Sequence, residues 1–191
     1  DRIEAAALRS RVGSVSTMAG WILNRRDLGG VTFLVIRDRS GTAQIVLDDV
    51  LRDEIVGLQV ESVVRVTGEV VADPRARGGA ELHARTIDVL TPVVEPLPFE
   101  INKPDLKPSI DVWLDRAPIA LRHASKRAAL RVMARTVHEY RAALDRRGFV
   151  EIFTPKIVGS ATEGGANVFP IDYFGRTAYL AQSPQLYKQI M

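Results

Sequence analysis

"VTFLVIRDRSGTAQIVLDDVLRDEIVGL", Val31 to Leu58, packs two strand-length runs and one helix-like run into a single stretch. In VTFLVIRD (31–38) apolar and β-branched residues crowd a strand-length window, and TAQIVL (42–47) does the same after the turn dipeptide Ser40-Gly41. DDVLRDEIVGL then opens on carboxylates and spaces Val50, Leu51, Ile55 and Leu58 as a short amphipathic helix does. Outward from this stretch, VGSVSTMAGWIL (12–23) precedes it, and SVVRVTGEVV (62–71) and ELHARTIDVL (81–90) come after it. All three read as strands, with Gly29-Gly30 and Gly78-Gly79 marking further connections.

Five strands with a helix after the third is the layout of an OB-fold barrel, whose open strand face binds oligonucleotides, sugars or proteins. Side chains alternate along a strand, so Phe33, Val35 and Arg37 share the face opposite Thr32, Leu34 and Ile36. Two readings of Phe33 stand at this point: a platform for a base, or a ring of the barrel core. Gln44, one strand over, offers both a donor and an acceptor to a base edge. Arg25 and Arg26, placed in the loop before the strand, suit phosphates or form a solvated face. With Arg37 and Arg39 they make a local basic cluster.

Composition narrows the function classes. Of 191 residues 46% are hydrophobic, enough for a core in one large domain or two small ones. No cysteine is present, so disulfides and thiolate metal sites are excluded, and His83, His123 and His138 are too scattered for a structural zinc. No apolar run reaches membrane-spanning length, and DRIEAAALRSRV lacks the pattern of a signal peptide, so the expected location is cytoplasmic, with no membrane partner. Net charge is +3. It is uneven: residues 1–98 carry 12 Lys and Arg against 14 Asp and Glu, while residues 99–191 carry 14 against 9. The first half is therefore no generic polyanion binder, and any nucleic acid must meet a local cluster.

TPVVEPLPFEINKPDLKPSID (91–111) holds five of the ten prolines and reads as a semi-rigid linker. Beyond it Leu130, Met133, Val137, Tyr140 and Leu144 recur every three or four residues, predicting one amphipathic helix over 123–147, stopped by Gly148. A short strand FVEI (149–152) and Thr154-Pro155 come next. The expected division is an OB-fold domain over 1–98, a proline-rich hinge over 99–118 and the start of a second domain over 119–191.

GWILNRRDLGGVTFLVIRDRSGTAQIV, RRGFVEIFTP and SATEGGANVFPIDYFGRTAYLAQSPQLYKQ together resemble the class II aminoacyl-tRNA synthetases, and within them the aspartyl-tRNA synthetases of the archaeal type. The resemblance covers about residues 12–191. It implies an OB-fold anticodon-binding domain followed by the truncated start of an antiparallel-sheet catalytic domain, with the long helix and proline-ended strand at a homodimer interface. It implies anticodon contacts at Arg26, Phe33 and Gln44, with Arg25 beside them. L-Aspartate is expected at Gln185 and Lys188, with Ser183 in support, while Glu163, in a glycine-flanked loop, pairs the substrate ammonium. A pocket that prefers a carboxylate to a carboxamide needs a fixed cation, and a charge-assisted hydrogen bond is about twice as strong as a neutral one. Asparaginyl relatives usually carry an acidic residue at the position of Lys188.

The implied reaction consumes ATP with Mg²⁺ and passes the aspartyl group to tRNA(Asp), with tRNA(Asn) left open as a second acceptor. The loops around Leu28 and Pro74 are the implied determinants of that choice. The motifs that hold ATP and Mg²⁺ in the family are not found before Met191, so no catalytic residue and no metal ligand is expected within the chain, which reads as an inactive piece of a protein of over 400 residues. RAPIALRH (116–123) departs from the family element there, only Arg116, Leu121 and Arg122 fitting. Three alternatives remain: an asparaginyl-tRNA synthetase, a non-catalytic tRNA-binding paralogue, and an amidating enzyme on the same catalytic fold.

Overall fold

Five strands close into a barrel in the order β1-β2-β3-β5-β4: β1 (Val15–Leu28), β2 (Val31–Arg37), β3 (Thr42–Leu47), β4 (Val63–Ala72) and β5 (Ala80–Thr91). They belong to a computed structural model that describes residues 2–105, 107–160 and 168–191. All pairings are antiparallel except β3 with β5, which run parallel and close the barrel.

The first strand is longer than its apolar pattern predicts. Its first half pairs β4 and its second half pairs β2, with Trp21 paired to both and a register irregularity in the β2 ladder between Ile22 and Asn24. The polar run Asn24 to Asp27, with Leu28, is held as strand by hydrogen bonding to β2, and Arg25 and Arg26 are strand residues rather than loop residues.

Burial alternates along the first half of β1 and along β2, β3 and β4, and the inward set includes Met18, Leu34, Ile36, Ile45, Leu47, Val64 and Val66, with Leu82 from β5. A 3-10 helix, Ala5–Arg11, adds Leu8, and α1 (Asp49–Asp53) with the turn after it adds Leu51 and Ile55. Asp48 caps α1, its carboxylate accepting from the Leu51 N–H at 2.9 Å. At Gly68 the β4 backbone crosses β5 so closely that a Cβ would lie 2.0 Å from the His83 carbonyl oxygen. Only a residue without a side chain fits there.

The proline-rich stretch gives way to two short helices that the sequence pattern did not predict, α2 (Ile110–Asp115) and α3 (Ala117–Ala120). Buried His123 ties this stretch to the segment after it. Its Nε2–H donates to the Lys103 carbonyl at 2.9 Å, and its Nδ1 accepts from the Ser125 hydroxyl at 2.8 Å. A carbonyl can only accept, so the ring is fixed as the Nε2–H tautomer.

By Cα packing the chain divides into Asp1–Arg127 and Ala128–Met191. The long helix α4 (Ala124–Asp145) begins before that division and ends ahead of Gly148, whose φ of +81° suits glycine. In the second unit β6 (Ile157–Val158), β8 (Arg176–Leu180) and β7 (Pro170–Tyr173) form a sheet in that order. β7 and β8 join through Phe174-Gly175, both at positive φ, as a two-residue hairpin turn requires. A last helix, α5 (Gln185–Ile190), completes the unit. FVEI (149–152) is not a strand: no described segment pairs with it, and strand propensity without a ladder partner does not make a strand. Among the described residues no helix is long and apolar enough to cross a membrane.

Candidate nucleic-acid face and amino-acid element

Two parallel rows cross the outside of the barrel. Register aligns Arg26 of β1, Phe33 of β2, Val46 of β3 and His83 of β5, and beside them Asn24, Val35, Gln44 and Glu81. Thr32 and Leu34, on either side of Phe33, are fully buried, so the ring points outward and is partly exposed. The geometry sets aside the core reading: Phe33 is not among the buried residues of the barrel core.

The second row is pre-oriented. Gln44 Nε2 donates to Glu81 Oε2 at 2.8 Å, and His83 Nε2 donates to Glu81 Oε1 at 2.8 Å. With one N–H engaged, the Gln44 amide is fixed in orientation, its nitrogen turned toward Glu81 and its oxygen away from it. Sequence reasoning passed over Glu81 and His83, although two polar residues two apart on a strand necessarily share a face.

The four arginines of the sequence cluster separate. Arg26 is exposed in the Phe33 row. Arg25, paired with inward-facing Leu34, projects from the other face: its guanidinium bonds Asp27 at 3.2 Å and the Ile55 carbonyl at 3.2 Å. A hydrogen bond from the Thr32 hydroxyl, reinforced by Arg25, holds the Asp27 carboxyl below its usual range against the opposing effect of burial. Arg39 pairs with Glu4 near the barrel's N-terminal helix.

Arg37 shares the Phe33 face but is buried. Its Nη2 lies 2.8 Å from Glu61 Oε1 and donates to Oε2 at 2.9 Å, while Arg122 Nη1 donates to the same Oε2 at 3.0 Å. Both guanidiniums lie by the ring of Trp21, at 5.7 and 6.0 Å from its centroid. Glu61 is held at φ +68°, its N–H bonded to the Ile22 carbonyl. Nothing in the local sequence signals this cluster, whose members lie 24 and 61 residues apart.

In the second unit Ser183, Gln185 and Lys188 cluster at α5. Gln185 and Lys188 are three apart on the helix and share one exposed face, and Ser183 immediately precedes the capping Pro184. Leu186, Tyr187 and Ile190 turn the other way, toward a cavity of about 480 Å³ walled by Pro155, Ile157 and Val158. Glu163 lies outside the described residues. Among the described residues no group of three or more His, Cys, Asp or Glu is placed to hold a metal ion.

Residues 16–90 match the family of OB-fold nucleic acid binding domains, and residues 109–191 match the class II tRNA synthetases (D, K and N). The aspartate–tRNA(Asp/Asn) ligases of Saccharolobus solfataricus and Thermus thermophilus are each 44% identical, aligned over 94% and 100% of this chain. The chain belongs to the class II aminoacyl-tRNA synthetases. It spans less than half the length of those relatives, 42% and 44% respectively. Among solved structures, asparaginyl-tRNA synthetase from Pyrococcus horikoshii with asparaginyl-adenylate aligns over the whole chain and 44% of its own, at 32% identity and a TM-score of 0.88. Aspartyl-tRNA synthetase from Entamoeba histolytica does so at 25% identity and a TM-score of 0.76, over 42% of its own chain. An OB-fold domain followed by the start of a class II catalytic domain is thus the architecture of the chain.

Proposed function

We propose that this chain is the anticodon-binding module and the first part of the amino-acid pocket of a cytoplasmic aspartate–tRNA ligase. Residues 1–98 form the anticodon domain, 99–118 the hinge and 119–191 the beginning of the catalytic domain. The observation that carries the reading is the outward row of Arg26 and Phe33 beside a Gln44 whose amide is already oriented. Phe33 stacks on a base, Gln44 accepts from a base edge and Arg26 meets the backbone, with Arg25 supporting through its contacts at the barrel edge. The names of the relatives, which pair tRNA(Asp) with tRNA(Asn), favour both as acceptors.

Lys188 supplies the cation for the substrate β-carboxylate, Gln185 and Ser183 hydrogen-bond beside it, and Glu163 pairs the α-ammonium. Aspartate then attacks the ATP α-phosphate to give aspartyl-adenylate and pyrophosphate, and the 3′-terminal ribose hydroxyl of the tRNA takes the aspartyl group. No protein nucleophile is needed, so catalysis is positioning and charge stabilisation. ATP and Mg²⁺ would be held by the part of the catalytic domain that lies beyond Met191. The exposed apolar stripe of α4, Leu130, Met133, Val137 and Tyr140, suits a two-fold homodimer.

The test is ATP–pyrophosphate exchange by the full-length protein that carries this chain, with aspartate and asparagine compared. Lys188→Glu replaces the carboxylate's partner by a like charge, and losing such a pair when buried costs about 2–5 kcal/mol, at least a tenfold fall. Unchanged aspartate-dependent exchange refutes the role of Lys188, and asparagine as the better substrate refutes the aspartate reading.

A further inference from the structure

A cavity of about 720 Å³ opens at the end of the barrel where β2 finishes and β3 begins. Six cationic side chains line it, Arg9, Arg37, Arg77, Lys103, Arg122 and Arg127, and no Asp or Glu does. All lie within the barrel unit. Glu61, packed beneath, offsets one charge for the two guanidiniums of Arg37 and Arg122 and leaves that group net positive. Lys103 has Glu100 at 3.7 Å, both side chains being well exposed.

Arg9 and Arg77 are exposed and have no carboxylate partner among the described residues. They come from distant segments but line the same cavity, and Arg9 Nε reaches the chain beside Arg77, 3.6 Å from where a Cβ on Gly79 would lie. Holding like charges together without a counter-charge is unfavourable in a protein alone, and a bound anion removes the cost.

The cavity also lies on the same outer side as the base-reading rows. Thr42, in its wall, is two residues along β3 from Gln44, and Arg37 is four along β2 from Phe33. At about 3.3 Å per strand residue these are separations of roughly 7 and 13 Å. A single strand crossing an OB barrel covers about 4–16 nucleotides, so one whose bases meet Phe33 and Gln44 carries its backbone onward into this cavity.

We propose that the cavity is a phosphate site that takes neighbouring backbone phosphates of the RNA whose bases lie on the Phe33 row. The inference rests on the nucleic-acid reading of that row. Its chemistry, closely spaced phosphate oxyanions held by a fork of guanidiniums, is shared with a free polyphosphate.

The test uses the 191-residue chain and its Arg9→Ala/Arg77→Ala variant. Both side chains are exposed, and circular dichroism checks that the barrel is retained. Binding of an RNA stem-loop with a seven-nucleotide loop is followed by fluorescence anisotropy as salt is raised, and binding of inorganic tripolyphosphate by calorimetry. Each phosphate contact contributes about 0.7–0.9 to the slope of log K against log salt, so the variant's slope should fall by about 1.4–1.8 and its affinity at least tenfold at low salt. Phe33→Ala serves as the comparison, lowering affinity with the slope kept.

If RNA binding is unaltered but tripolyphosphate binding is lost in the double variant, the site stands and its ligand is a free polyphosphate. If the parent binds tripolyphosphate and not RNA, the nucleic-acid reading of the Phe33 row fails while the phosphate site survives. An RNA slope and a tripolyphosphate affinity both equal to the parent's overturn the proposal, as does a parent chain that binds neither.

Discussion

Glu61→Ala tests what fastens α3 and its flanks to the barrel. The carboxylate is 1% exposed and lies within 3.0 Å of two guanidiniums, of which Arg37 is 6% exposed and Arg122 43%. Removing one partner of a buried pair leaves an uncompensated charge and costs about 3–5 kcal/mol. Arg37 bears that cost, because Arg122 can turn to water, and Arg122→Ala should therefore cost less than about 1 kcal/mol. The backbone separates charge from strain. At φ +68° a non-glycine residue is strained by about 1–2 kcal/mol, so Glu61→Gly should lose about 1 kcal/mol less than Glu61→Ala. The assay is urea unfolding of the 191-residue chain in a Trp113→Phe background, followed by emission of Trp21, whose ring both guanidiniums approach. A loss below about 1 kcal/mol for Glu61→Ala, or an equal loss for Arg122→Ala, refutes the assignment of the buried charge to Arg37.

Phe33→Ala should weaken stem-loop binding by about 1–3 kcal/mol, as removal of one stacking ring does, with the urea midpoint kept. A variant that unfolds instead makes Phe33 a structural ring. Asp38 resists ionisation through burial, yet the Ser40 hydroxyl and the N–H groups of Ala5, Ser40 and Gly41 donate to it and hold its carboxyl below the ordinary 3.8. A depressed carboxyl stabilises the fold above its unfolded value and loses that contribution as pH falls through the folded one. The stability gap between parent and Asp38→Asn, read from urea midpoints, should thus be full near neutrality and close below about pH 3.8. Gly68→Ala drives a Cβ into the His83 carbonyl and should lower stability by at least about 1–3 kcal/mol, seen as a lower melting temperature.

Where a strand carries its own apolar alternation, as β2, β3 and β4 do, its place and inward face are readable from residue types alone. Asn24 to Leu28 carry no such pattern; they are strand because β2 pairs with them. FVEI errs in the opposite direction, with strand-like residues and no partner. The same limit governs the site. Arg26, Phe33 and Gln44 share a face by strand parity and register, whereas parity puts Arg25 on the other side. That Arg37 is neutralised by Glu61 depends on a contact between segments far apart in the chain, which no local spacing encodes. On α5 the helical interval already sets Gln185 and Lys188 on one face.

The parallel seam between β3 and β5 joins residues 37 apart in the chain, and the Gln44 to Glu81 bond lies directly across it. Closing that seam orders a long intervening segment, so it opens at lower cost than the hairpins on either side and is the natural weak line of the barrel. The Glu81 and His83 ends of the two outward rows join the rest only while it is shut. A ligand on those rows therefore acts as a clasp, adding RT ln(1 + [L]/Kd) to the free energy of opening. Amides of Gln44 to Val46 and Glu81 to His83, which lie along the seam, should gain the most protection from hydrogen exchange when RNA is bound. The outward face that carries Phe33 and Gln44 would then also report whether the barrel is closed.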